Sequence, residues 1–86
     1  MNLARVLGTV VATEKHPAFS GLKILVVQPV DDTGHPCAKS YLAVDHTSGA
    51  GVGDTVLVTT DGGAVRQILN APEAPIRCCI VGVVDP

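Results

Sequence analysis

Three glycines fall within five positions of "HTSGAGVGDTVLV", residues 46 to 58, a density that could let the backbone close around a phosphate. Phosphate loops use glycine for close approach and then aim the N-terminus of a helix at the anion. Here the spacing is Gly49-x-Gly51-x-Gly53 rather than G-x-G-x-x-G, and no Lys-Ser or Lys-Thr pair follows. The next residues, Asp54 to Thr60, include the β-branched Thr55, Val56, Val58, Thr59 and Thr60. Such a run suits a pleated strand and is poor for a helix. The loop is therefore expected to join two strands.

The other reactive side chains are scattered. His16, His35 and His46 show no i, i+4 pair and no adjacent carboxylate of the kind zinc requires, so they read as solvated loop histidines. Cys78 and Cys79 are consecutive in an apolar run, so in a strand they point to opposite faces and act as small apolar filler. Cys37, in "GHPC", lies near a turn and reads as a bystander thiol. Asp31 and Asp32 belong to a turn, where aspartate accepts local backbone hydrogen bonds. Asp45 and Asp54 flank the glycine loop and are expected to support it. Ser20, Ser40 and Ser48 lack a G-x-S-x-G setting. No catalytic residue, no cofactor and no metal site is expected. Two alternatives stay open: a module binding an anionic metabolite at the glycine loop, and an enzyme pairing Cys37 with His35 or His46.

The elements that would carry these groups are short. "LARVLGTVVAT", 3 to 13, reads as a first strand with Gly8 at a bulge or bend. "EKHPAFSG", 14 to 21, reads as a loop. "LKILVVQPV", 22 to 30, is a second strand, which Pro29 confines to an edge or an end. "DDTG", 31 to 34, turns the chain into a third strand at 39 to 46, and the glycine loop leads to a fourth at 54 to 60. Thr60 or Asp61 could cap a short helix over Ala64 to Leu69. "NAPEAPI", 70 to 76, is loop, and "RCCIVGVVD", 77 to 85, is the fifth strand. Five strands with one short helix between the fourth and fifth predict an all-β, five-stranded, OB-like barrel.

An 86-residue chain holds one domain, spanning 1–86, and buries only roughly 60–65% of its unfolded surface. Yet 47% of its residues are hydrophobic and 16% charged, with one Phe, one Tyr and no Trp. A small barrel cannot hide so many apolar side chains, so part of its exterior is expected to be covered by further copies of the chain. The net charge of −2, without a basic stripe, argues against nucleic acid and anionic membranes. No apolar run reaches membrane-spanning length, and the N-terminus lacks a signal pattern. Three cysteines in such a chain read as cytoplasmic and reduced.

The ordered pieces "ARVLGTVVAT", "KHPAFSGLKILVVQPVD", "GHP", "LAVDHTSGAGVGDTVLV", "AVRQ" and "CIVGVVD" together resemble the pentameric vertex proteins of bacterial microcompartments, the carboxysome and ethanolamine-utilisation shell family also called BMC-P. The likeness covers essentially the whole chain. It implies a homopentamer of OB-like barrels that plugs the vertices of an icosahedral shell beside hexameric and trimeric shell proteins, inside the cytoplasm and with no enzymatic role. It carries the expectation that Thr47, Ser48, Gly49, Ala50 and Gly51 lie near the five-fold axis and line a narrow opening. Arg66 matches the family arginine and is expected at the subunit interface. Many members carry Gly-Ser-Ser-Ala-Arg after the fourth strand. Here Asp61-Gly62-Gly63-Ala64-Val65-Arg66 is one residue longer and lacks the serines. Many members also continue past the position of Pro86 with another strand.

Overall fold

The computed structural model describes residues 1–10, 22–68 and 77–84. Alternating burial along the first segment makes it a strand: Ala4 and Val6 point into the molecule while Arg5 and Leu7 stay exposed. The elements are β1 (Asn2–Thr9), β2 (Lys23–Pro29), β3 (Tyr41–Asp45), β4 (Thr55–Thr59), α1 (Gly62–Ile68) and β5 (Cys79–Val84). The strands close in the order β1-β2-β3-β5-β4, the OB-like arrangement expected from the sequence. Among the described residues only the β3–β5 pairing is parallel. Closure gives each of these five strands two neighbours, so none of them is left as an edge to recruit another chain.

Two ladder irregularities bend the barrel. One falls between Val6 and Gly8 on β1, beside the glycine expected at a bulge. The other falls between Leu57 and Val58, where Leu57 pairs with Gly82 and Val58 with Ile80, leaving Val81 as the extra residue. Pro29 ends β2, where its missing N–H costs no ladder bond. The expected strand over 77–85 begins two residues later, at Cys79. The expected loops at 14–21 and 70–76, and the end of the expected first strand, lie outside the described residues.

The interior is built from small side chains: Ala4, Val6, Leu25, Val27, Ala43, Ala50, Val56, Val58 and Ile80 form the buried cluster, with Tyr41 and Cys78 packed against it. A second buried row lies on the outside. Val44 and Thr59 both pair with Cys79, and all three are buried without belonging to the inner cluster. Helix α1 follows directly from this row and buries Val65. Asp61 caps α1 by accepting a 2.9 Å bond from the Gly63 amide. Cys78 and Cys79 thus face opposite sides of the sheet, and burial pushes both thiols up.

Several large apolar side chains find no cover: Leu7, Leu42, Val52, Leu57, Ile68, Val83 and Val84 are all exposed. Leu7, Leu42 and Leu57 stand on the barrel wall.

Candidate functional site

The glycine loop, residues 46 to 54, joins β3 to β4, which are not neighbours in the barrel. It is a crossover at one barrel end rather than a hairpin. Asp45, the last residue of β3, is only 3% exposed. Its Oδ1 accepts from the Ser48 amide at 3.0 Å and its Oδ2 from the Ala50 amide at 2.8 Å. Lys23 stands opposite Asp45 in the β2–β3 ladder. Its Nζ donates to the Ala50 carbonyl at 2.6 Å and lies 4.0 Å from Asp45 Oδ2.

At the far end, Asp54 Oδ2 accepts from the Gly51 amide at 2.8 Å, and the Asp54 amide donates to the Gly51 carbonyl at 3.0 Å. The turn between them needs Gly53, whose φ is 91°, and Gly49 has a φ of 71°. The turn is tied to β1 by Gly53 N to Val6 O and Val6 N to Asp54 O, both 2.9 Å. The loop's amides therefore converge on carboxylates of the chain itself. Negative charge already occupies the place an anionic metabolite would take, so the geometry does not favour that binding module.

The five loop residues singled out in the sequence have different fates. Ala50 is wholly buried and plugs the barrel core, so its side chain cannot line an opening. Ser48 is partly buried, and its hydroxyl lies 3.4 Å from the Ile80 carbonyl. Gly51 is also partly buried, while Thr47 and Gly49 are exposed. Lys23 and the burial of Asp45 were missed; pairing the second and third strands in register would have set these opposite charges face to face. Arg66 lies in α1.

One sequence expectation needs correcting. His35 does have a carboxylate neighbour: its Nδ1 is 4.0 Å from Asp31 Oδ1 and 2.7 Å from Thr33 Oγ1. Asp31 Oδ1 also accepts from Thr33 Oγ1 at 2.7 Å and from the amides of Thr33 and His35, each at 2.9 Å. The sequence spacing concealed this because the turn folds residues 31 and 35 together. The Thr33 hydroxyl and the His35 amide hold the Asp31 carboxyl below its ordinary value. The His35 Nδ1 is engaged by Thr33, and Cys37 is exposed nearby in sequence. Among the described residues no three His, Cys, Asp or Glu side chains cluster as a metal site would require.

The barrel and its loop have close counterparts. The chain is 39% identical over 85 residues to the carboxysome shell vertex protein CcmL of Nostoc sp., covering 99% of this chain and 83% of that one. The solved structure of that protein superimposes with a TM-score of 0.87. The chain is 40% identical to the microcompartment shell vertex protein PduN of Salmonella typhimurium, covering 99% of this chain and 96% of the other. The pentameric microcompartment shell protein GrpN of Rhodospirillum rubrum matches at 38% identity and a TM-score of 0.85, over 100% and 95% of the two chains. Residues 1–85 match the family described as ethanolamine utilisation protein EutN/carboxysome. This protein belongs to the EutN/CcmL family.

Proposed function

We infer that the chain is a shell vertex protein: five copies form a ring that caps a corner of a bacterial microcompartment. The observation that carries this reading is the pairing of a closed, filled barrel with large apolar side chains left on its outer wall. Closed barrels need no partner strand, so the exposed Leu7, Leu42 and Leu57 call for a partner surface instead. The family relatives supply its nature, since GrpN is a pentameric shell protein and CcmL and PduN are shell vertex proteins.

The work of the ring is geometric rather than catalytic. A sheet of hexagonal tiles stays flat, and a five-fold unit lets it close. Hexameric and trimeric shell proteins are the partners this role requires, and neither nucleic acid nor membrane has a part in it. Within the ring, the loop from Thr47 to Gly51 faces the five-fold axis, with Thr47 and Gly49 at its open edge. Arg66 lies at the boundary between copies.

The test is the molar mass of the purified protein by light scattering. Five copies of the 8.8 kDa chain give about 44 kDa. A monomer at micromolar concentration would overturn the reading.

A further inference from the structure

Gly8 and Gly82 lie inside strands, where glycine weakens the sheet because it has more backbone freedom to lose and no side chain to pack. Neither is demanded by its own backbone, since the left-handed glycines are Gly34, Gly49 and Gly53. Both adjoin a ladder irregularity, but a bulge requires glycine only where φ is positive. Packing within the barrel does not demand them either: a Cβ built on Gly8 or Gly82 meets no described atom within 4 Å. Nothing among the described residues requires glycine at either position, which fits close approach by a neighbouring copy.

The register places both on the outer wall amid apolar side chains. Gly8 pairs with Val26, which pairs with Leu42, and the exposed Leu7 precedes it. Gly82 pairs with Leu57, whose partner on the other side is Leu3, and Val84 follows on the same face. These are two different patches, each with apolar projections beside a glycine-floored notch. One is centred on β2 and the other on β4, two steps apart on the five-strand circle. A ring needs two distinct faces inclined to each other, because directly opposed faces would build a filament.

We propose that the ring closes by laying the Leu7, Gly8 and Leu42 face of one copy against the Leu57, Gly82 and Val84 face of the next. The two glycines mark where the neighbouring backbones come nearest. This inference rests on the pentamer reading, and the experiment separates the two.

Wild type, Gly8→Val and Gly82→Val are compared by light scattering, with circular dichroism on the same samples. Valine suits a strand and meets open space at both positions, so the barrel persists while the mass falls about five-fold, from the ring to the single chain. Leu42→Lys and Leu57→Lys, both on the exposed wall, give the same loss and carry the test should a glycine variant unfold. Lys39→Ala, exposed and off both faces, keeps the wild-type mass. A wild type that is not pentameric sinks the vertex reading and the inference with it. A pentameric wild type whose folded valine or lysine variants remain pentameric overturns this interface alone.

Discussion

In the 31–36 turn Asp31 accepts the amides of Thr33 and His35, and Gly34 supplies a φ of 87°. In the 46–54 loop Asp45 accepts the amides of Ser48 and Ala50, and Gly49 supplies a φ of 71°. The local chemistry is the same: a carboxylate gathers amides and a left-handed glycine reverses the chain. The surroundings differ. The Asp31 side chain is 45% exposed, so water can replace what it provides. Asp45 is buried, and the loop it holds pushes Ala50 into the barrel core. A surface turn is thus a local convenience, whereas the glycine loop is a structural plug whose polar bonds water cannot restore.

Removing each aspartate gives the widest separation between the two. Asp45→Ala strands the buried Ala50 amide and the partly buried Ser48 amide, at a cost of about 3 kcal/mol. Asp31→Ala should lower stability far less. Denaturant midpoints at one fixed protein concentration measure both, and equal losses would erase the distinction.

The glycines sharpen the comparison by what they should share. Gly34→Ala and Gly49→Ala both force a side chain into left-handed backbone, at about 1–2 kcal/mol each. An alanine at 34 also approaches Arg5 Nη2 to 3.3 Å, but that is the far end of a flexible side chain. Similar losses at the two sites would locate the difference between the loops in carboxylate burial. A much larger loss at Gly49 would place it in the backbone.

The smallest effect is that of acid on the exposed turn. The folded turn depresses the Asp31 carboxyl below its ordinary 3.8, so its contribution is complete above that value. It is lost as pH falls through the folded-state value. Protection of the Thr33 and His35 amides, measured against the intrinsic exchange rate at each pH, should therefore fall only at pH below 3.8, with Asp31→Ala unprotected throughout. Protection already lost near neutrality would show that the carboxylate does not hold the turn.

Much of this architecture was legible in the residues. β-branched runs between proline and glycine marked five strands, and Thr60 or Asp61 marked a short helix, which begins at Gly62 rather than at Ala64. Gly8 marked the place of a bulge, although its φ does not itself require glycine there. The contrast between the two loops was hidden. Asp31 and Asp45 look alike in sequence, and only the closed circle of strands buries one of them. Period-two alternation also fails in β3, where Ala43, Val44 and Asp45 are buried in succession. The inner core covers one side there and the outer row with Cys79 covers the other. Ala50 carried no signal, since a single alanine among glycines has no periodicity to place it in a core. The interface role proposed for Arg66 rests on family likeness, because one arginine in a short helix identifies no contact.

The barrel's seam has a kinetic meaning. Since β5 slots between β3 and β4, it is the last strand in chain order that completes the circle. Until it docks, two naked sheet margins stay open to solvent, and such half-built species are prone to clump. Because β1 must also find β4 across most of the chain, folding is expected to be slow for so short a polypeptide. Ring building must therefore wait on a maturing subunit, and a brief delay in that final docking would divert molecules into aggregates instead of corners.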